Sequence, residues 1–267
     1  MNSTAILDLL HSHRSIRKYK PDLVDDETIR RVVAAGQSAA TSSNLQMGTA
    51  VVVRNRDRRW ELARLCGDQE HIREAPVFIA WCADRSRLDR ASLSRGYEQN
   101  TEYLESFLVA AVDAAIMMQS AVTAAEALGL GTCYIGAIRN DPVAVIELLE
   151  LPQRVFPIAG MTLGYPRHPS RVKPRLDLDA VLHWERYDPA DHERLEQYDR
   201  VIADTGIYRG REQPLRSVAQ GNDRNRDADA SIATDLYGWI EHSARRIAEP
   251  KRTRLSEVIR RQGFDLK

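Results

Sequence analysis

Cationic and hydroxyl side chains stand close together just after the first apolar stretch of the chain. His13, Arg14, Ser15 and Arg17 follow one another in a short polar run. Because guanidinium groups offer several fixed donors and serine adds a hydroxyl, this cluster could grip a phosphate or the polar edge of a ring. The same residues also fit a solvated basic cap that compensates the dipole at the end of a helix. Alone, the cluster leaves both interpretations open.

A second basic pair, Lys173 and Arg175, lies far along the chain on either side of a proline. Proline fixes the backbone between them, so both cations can point towards one anion. A charged surface turn would have the same composition, and the pair alone does not separate the two interpretations.

Three hydroxyl residues in a row, Thr41, Ser42 and Ser43, precede an asparagine. Such a loop can hydrogen-bond the polar rim of a ligand, but it also suits an ordinary capping loop. Two further short stretches complete the candidate set, residues 67–69 and residues 134–136.

Other kinds of catalytic site find little support in the sequence. There is no GxSxG or HExxH motif, and the seven histidines are scattered. Cys66, Cys82 and Cys133 are odd in number and widely spaced, which argues against disulfides or a zinc site and predicts buried thiols. These absences favour chemistry carried by a bound cofactor.

The element that must position the candidates is the apolar run VAAVDAAIMMQSAVTAAEALGLGTCYIG at 109–136. Its first part predicts a long core helix that is buried on most faces, because only Asp113, Gln119 and Glu126 interrupt its apolar residues. A glycine-containing turn and a short strand then lead into Gly136, where the backbone can approach a ligand closely. Asp113 breaks the apolar stretch, and the remainder of the chain is strongly charged, which argues against a membrane span.

Short strands alternate irregularly with helices along the rest of the chain. Strands are predicted at 49–54, 76–82, 132–135 and 157–163, and helices at 28–39, 60–65, 142–149, 190–205, 231–248 and 256–262. An N-terminal helix should turn its apolar residues, Ile6, Leu7, Leu9 and Leu10, towards the core. The polar segment 85–99 is predicted to be a mobile surface connection.

These elements predict an α+β fold with a central mixed or antiparallel sheet, packed by helices around the long core helix. No GxGxxG or GxxxxGK[ST] motif supports a dinucleotide-binding βαβ fold. From about residue 187 the composition is charged and poor in apolar runs. We therefore expect a main domain at 1–187 and a helical C-terminal extension at 188–267 that is not an independent domain.

The charge balance limits the class of partner. Lys plus Arg equals Asp plus Glu at 38 each, so no overall field draws the protein to nucleic acid or to anionic membranes. An arginine-rich segment at 209–226 is diluted by neighbouring acidic residues, which argues against a nucleic-acid arm. The N-terminus lacks the pattern of a secretory signal, so a cytoplasmic location is expected.

Taken together, six sequence stretches resemble the flavin-dependent nitroreductases, and in particular the NADPH-preferring group of oxygen-insensitive nitroreductases and flavin reductases. The stretches are HRSIRKY, TSSNLQ, GDQEHI, AAVDAAIMMQSAVTAAEALGLGTCYIGAIRN, LGYP and VKPRL. They occur in consistent order over roughly residues 6–187. Asn44 departs from the pattern, because close relatives often carry a bulky apolar residue there, and this departure bears on the shape of the acceptor pocket.

The resemblance implies a homodimer of α+β subunits that holds FMN at the subunit interface. Carried over by motif, the residues expected to bind the cofactor are His13, Arg14, Ser15, Arg17, Thr41, Ser42, Ser43, Gln69, Tyr134, Ile135, Gly136, Lys173 and Arg175. The backbone N–H of Gly136 is the candidate catalytic donor to flavin N5. Glu105 and Asn140 are weaker candidates.

The activity that the resemblance implies is NAD(P)H oxidation in two steps. Hydride passes from NADPH to flavin N5, and then to a nitroaromatic, a quinone or a similar small-molecule acceptor. The arginines expected to hold the 2′-phosphate of NADPH are Arg209, Arg211, Arg216 and Arg252. A dedicated flavin reductase and a non-enzymatic FMN-storage or redox-sensing protein are the alternatives.

Overall fold

A four-stranded antiparallel sheet forms the centre of the first of two compact units. The computed structural model describes residues 3–98, 103–168, 170–211, 213 and 237–267. Within these residues the strands are β1 (Gly48–Val53), β2 (Val77–Asp84), β3 (Gly131–Ile135) and β4 (Val155–Gly164), in the order β1-β2-β4-β3. The predicted α+β class and the four predicted strands are confirmed.

The helices of the first unit surround this sheet. They are α1 (Ser3–His11), α2 (Asp26–Gln37), α3 (Arg56–Leu65), α4 (Glu70–Glu74), α5 (Ser86–Leu93), α6 (Leu104–Ala127), α7 (Pro142–Leu148) and α10 (Leu255–Arg261). This first compact unit comprises the residues up to 172 together with residues 252–267. The second compact unit comprises residues 173–251.

Strand β2 shows why the sheet is buried on both faces. Its side chains alternate between two apolar clusters, as the period of a strand requires. Phe78 and Cys82 join a cluster with residues of α3 and α7, while Ile79 and Trp81 join a cluster with α2 and α6. All of β2 is buried, which explains its nearly continuous apolar sequence.

Helix α6 is a core helix on one side only. It is the one helix in the described ranges that is long and apolar enough to cross a membrane. Small residues and Asp113 pack inward, and the buried set is Ala110, Asp113, Ala114, Ala121, Val122 and Ala125. The opposite face exposes Leu104, Leu108, Val112 and Ile116. The prediction that α6 is buried on most faces is therefore wrong for the single chain.

The N-terminal helix departs from prediction in the same way. Ile6, Leu7 and Leu10 are exposed, and Leu9 is half-buried. An apolar helix face normally packs against another element, so α1 and α6 both present apolar surface that nothing in the described chain covers.

The segment predicted as a mobile connection instead contains α5. Asp89 is buried and pairs with Arg85 and with Arg154, whose Nη1 lies 2.6 Å from Asp89 Oδ2. Leu88 packs against an apolar cluster around Phe156. Two of the charges that made this segment look like a surface connection, Arg85 and Asp89, instead pair inside the protein and help to fix the helix.

The second unit contains α8 (His192–Thr205) and α9 (Trp239–Ile247). The two helices contact each other through Tyr198 and Trp239, whose ring centroids are 5.5 Å apart. The predicted helices at 190–205 and 256–262 correspond to α8 and α10, and α9 lies within the predicted 231–248, of which 231–236 fall outside the described residues. The domain division at residue 187 stays a prediction.

Candidate functional site

Residues 13–17, the first basic segment, lie against the beginning of β3. The Ile16 N–H donates to the Thr132 carbonyl at 2.8 Å. A Cβ added at Gly131 would come within 2.5 Å of Ile16 Cγ1, so only glycine allows this approach. Ile16 is buried, while Arg14 and Arg17 stay exposed.

Tyr19 fixes the other end of the first basic segment. It is fully buried, and its hydroxyl donates to the Ile16 carbonyl at 2.6 Å and lies 2.7 Å from Thr162 Oγ1. Burial raises the pKa of Tyr19 far above its usual value, so the phenol stays protonated and remains a donor. The segment is therefore held in one conformation by the core.

Arg14 faces a cavity of about 330 Å³ that is rich in positive charge. Lys20, Arg167 and His168 line the same cavity. Within the described residues, Arg14, Lys20 and Arg167 form no ion pair, so their charges are not neutralised by the protein. Guanidinium and ammonium donors around one small cavity suit a phosphate group.

Arg17 acts on a different neighbour, His71 in α4. Burial, and then the positive charge of Arg17, lower the pKa of His71 to about 4, although Glu74 opposes the shift. The imidazole is therefore neutral at pH 7, and its buried Nε2 has no hydrogen-bond partner in the described part of the chain. Gln69, two residues earlier, donates from Nε2 to the Cys66 carbonyl at 2.6 Å. The structure thus places Arg17 of the first basic segment near α4, the helix that follows the 67–69 stretch.

The 134–136 stretch lies at the end of β3. Tyr134 is partly exposed, and its hydroxyl donates to Gln119 Oε1 at 2.9 Å. Ile135 is buried and pairs with Gly160. Gly136 opens the short 3₁₀ helix Gly136–Arg139, so its N–H has no acceptor within that helix. A Cβ there would lie in ordinary contact with Arg139 Nη2, at 3.6 Å, with no closer neighbour among the described residues.

Asn140 connects this region to the chain's last helix. Arg252 donates from Nε to Asn140 Oδ1 at 3.1 Å, and a Cβ at Gly67 would lie 3.6 Å from Asn140 Nδ2. Burial, and then the charge of Arg252, lower the pKa of Arg139. Arg252, predicted to hold the coenzyme, is thus placed in the first unit beside Asn140.

The hydroxyl loop, residues 41–46, is shaped by an unusual backbone. Ser43, Asn44 and Gln46 have φ angles of 48°, 57° and 52°. These angles lie in the left-handed region, which residues other than glycine seldom adopt. Ser42 and Ser43 are exposed and line a cavity of about 540 Å³ together with Glu105. The weaker candidate Glu105 therefore shares a cavity with the hydroxyl loop.

Helix α6 supports three of the candidate segments through three of its polar side chains. Asp113 accepts the N–H of Ser42 in the hydroxyl loop and the N–H of Met47 just after it. Gln119 accepts from Tyr134, and Glu126 Oε1 lies 2.7 Å from His13 Nδ1. At 1.5 Å per residue, these three contacts span roughly 20 Å of helix. The residues that looked like interruptions of an apolar helix are the ones that hold the candidate site.

The remaining candidates lie elsewhere. Lys173 and Arg175 belong to the second unit, where Arg175 lines a cavity of about 140 Å³ with Asp177 and Arg194. Arg209 and Arg211 are exposed in the turn that follows α8, and Arg216 lies outside the described residues. The roles predicted for these residues stay predictions.

The cations and hydrogen-bond donors of the first unit suit a polar group that carries a phosphate. Described residues offer no group of three or more His, Cys, Asp or Glu side chains suited to a metal ion.

The predicted burial of the three cysteines is confirmed. Burial raises the pKa of Cys66 and of Cys82 to about 12, so neither thiol is a thiolate nucleophile. Sequence reasoning gave no role to His71 or Asp113; His71 stood within GDQEHI, but only the structure shows its burial.

The chain is similar to several known proteins over most of its length. A Bacillus subtilis FMN reductase [NAD(P)H] is 41% identical over 74% of this chain and 82% of its own. The oxygen-insensitive NADPH nitroreductase of Salmonella typhimurium is 34% identical over 97% of both chains. The structure of B. megaterium NfrA2 superposes over the full length of both chains with a TM-score of 0.86 and 34% identity.

Sequence models of two parts of one family also match. The nitroreductase family matches residues 10–165, and the C-terminal domain of the nitroreductase family matches residues 173–267. These two matches together span most of the sequence, and the similar relatives span it in the same way. The chain belongs to the nitroreductase family.

Proposed function

We propose that this protein is an FMN-dependent NAD(P)H oxidoreductase that reduces small-molecule acceptors such as nitroaromatics and quinones. The observation that carries the proposal is the arrangement on α6, which holds the 13–17, 41–46 and 134–136 segments through three polar side chains. Two relatives whose names specify FMN reduction with NAD(P)H or NADPH match most of the chain.

The donors present fit FMN. The cations around Arg14, which form no ion pair among the described residues, suit its phosphate. The resemblance also assigns Lys173 and Arg175 to the phosphate. Arg17, Gln69 and the neutral His71 suit the polar edge of the ring system. Ser15 and His13 complete the first basic segment on the ribityl side.

FMN, when bound, supplies two-electron transfer between NAD(P)H and an acceptor. The protein's part is to bind and orient. Gly136 offers a backbone N–H at the start of its 3₁₀ helix, which suits a hydrogen bond to N5 of the ring. Tyr134 and Ile135 are proposed to border the ring beside Gly136. Thr41, Ser42 and Ser43 of the hydroxyl loop are proposed to offer their hydroxyls to FMN.

A second copy of the chain is proposed to cover the exposed face of α6, and the exposed residues of α1 add to the apolar surface available for it. On α6 this face leads from Leu108 and Val112 to Gln119, which bonds Tyr134. A partner bound there would lie beside the candidate site, so we propose a homodimer in which both subunits border the cofactor. A cytoplasmic location is proposed with it.

The test of the proposed function is the absorption spectrum of the purified protein, followed by addition of NADPH under argon. Flavin bands that bleach within seconds support an oxidoreductase. A bound flavin that resists both NADPH and NADH would instead identify a storage or sensing protein. Absence of bound flavin, with no uptake of added FMN, would contradict the proposal.

A dedicated flavin reductase is the second candidate, because one similar relative is an FMN reductase. The bleached protein separates the two activities when it is mixed with free FMN, a nitroaromatic or a quinone. Reoxidation by free FMN alone would favour the flavin reductase, whereas comparable rates with all three would favour a general reductase.

A further inference from the structure

The hydroxyl loop is held in a strained conformation by one buried carboxylate. Asp113 is 1% exposed and lies in the middle of α6. Its Oδ1 accepts the Ser42 N–H at 2.9 Å, and its Oδ2 accepts the Met47 N–H at 3.0 Å. The two oxygens of one side chain thus fix both ends of the loop that contains the three left-handed residues.

A carboxylate is suited to this task because it offers two acceptors and no donor. Residues with positive φ leave that conformation unless their surroundings enforce it. The hydroxyls of Ser42 and Ser43 make no hydrogen bond within the described residues, so nothing else seen in the structure directs them.

We propose that Asp113 is a positioning residue, which holds the hydroxyl loop so that Ser42 and Ser43 face FMN. This inference rests on the proposed function. Asp113 acts through the backbone, because its two carboxylate oxygens accept the N–H groups of Ser42 and Met47.

Asp113→Asn tests the proposal with little change in volume. The amide replaces one acceptor by a donor, which then faces a backbone N–H. We expect the amides of residues 42–47 to exchange hydrogen at least about tenfold faster in the FMN-free variant. We also expect the dissociation constant for FMN, measured by quenching of flavin fluorescence, to rise at least about tenfold.

Asp89→Asn is the matched control. Asp89 is also a buried carboxylate, but it pairs with Arg85 and Arg154 rather than with the loop. This variant should lose thermal stability while its FMN dissociation constant stays within about twofold of wild type. If Asp113→Asn behaves like this control, with native exchange in the loop, then Asp113 is merely structural and the proposal is overturned.

A second pair of variants breaks the contact from the loop side, in case Asp113→Asn does not fold. Ser42→Pro removes the N–H that Asp113 accepts, and Thr41 already has the extended backbone that precedes proline. Ser42→Ala removes the hydroxyl but keeps the N–H. Weaker FMN binding by Ser42→Pro than by Ser42→Ala supports the proposal, and equal binding overturns it. Failure of the wild-type protein to bind FMN would instead defeat the proposed function, while the exchange data would still report on the loop.

Discussion

Arg14 and Arg17 lie three residues apart in one extended segment, but their surroundings predict different roles. Arg14 borders the cavity with Lys20 and Arg167, which suits a phosphate. Arg17 instead acts on His71 in α4, near Gln69, which suits the ring edge. Riboflavin keeps the ring and lacks the phosphate, so it can separate the two roles.

We predict that Arg14→Ala weakens FMN binding by about 1.5–3 kcal/mol, the scale of a charge-assisted hydrogen bond, and barely affects riboflavin. Arg17→Ala should weaken both flavins. Fluorescence titration measures the four dissociation constants, with Arg31→Ala, an exposed arginine of α2, as the control. Equal losses of FMN and riboflavin with Arg14→Ala would remove Arg14 from the phosphate site.

At the scale of single residues, the sequence could indicate candidate ligand-binding residues but not the side chains that hold them in place. The cations and hydroxyls stood out because their types are rare in apolar surroundings. Asp113 was visible only as an interruption of a helix, because its two hydrogen bonds join residues 66 and 71 positions away. Contacts of that range come from the folded chain, which no local pattern encodes.

Among the elements, β3 and the first basic segment meet at one glycine, and this contact can be tested directly. Gly131→Ala should push the segment away, since the new Cβ would overlap Ile16. We predict that overpacking costs about 1–3 kcal/mol of stability and that FMN affinity falls in addition. Thermal unfolding and FMN titration of the same variant check both effects.

Gly36→Ala is the control for this prediction. Its Cβ would lie 2.8 Å from the Met117 carbonyl oxygen, a comparable clash between α2 and α6 that leaves the first basic segment untouched. We expect a similar loss of stability with unchanged FMN affinity. If both variants lower FMN affinity equally, the effect is a general one of overpacking.

The sequence pattern predicted a helix or strand correctly where its residues form one long apolar run. Strand β2 and helix α6 were predicted near their observed bounds, because their long apolar runs have few alternative conformations. Helix α5 was not predicted, since Asp89 reaches Arg154, which is 65 residues away. The exposed faces of α1 and α6 could not be predicted either, because sequence alone does not tell a face buried in the chain from one buried by a partner.

For the whole molecule, the exposed face of α6 predicts assembly into a dimer. Val112→Glu would place a charge at the centre of the proposed apolar interface, which is costly without a partner charge. We expect the dissociation constant of the dimer to rise at least about 100-fold, with loss of FMN occupancy. Light scattering at low micromolar concentration measures this, and Leu23→Glu, exposed outside α1 and α6, is the control. A Val112→Glu protein that remains dimeric would contradict the interface.

The choice of coenzyme also belongs to the whole molecule, because its candidate residues are dispersed. Arg252 lies in the first unit and donates to Asn140, so its loss should disturb the surroundings of Gly136 whichever coenzyme is used. Arg209 and Arg211 are exposed in the second unit. A clamp for the 2′-phosphate needs such cations, since this phosphate is all that distinguishes NADPH from NADH.

We predict that the wild-type enzyme prefers NADPH by roughly 10- to 100-fold in kcat/KM, about 1.4–2.8 kcal/mol, mostly through KM. Replacing Arg209 and Arg211 together by Ala should depress the use of NADPH while sparing NADH and FMN occupancy. Arg252→Ala should instead lower both activities by similar factors, because it acts through Asn140 rather than on the 2′-phosphate. Steady-state kinetics with both coenzymes measures these ratios. Equal losses with the double variant would show that Arg209 and Arg211 shape the protein generally, and equal wild-type efficiencies would refute the preference for NADPH.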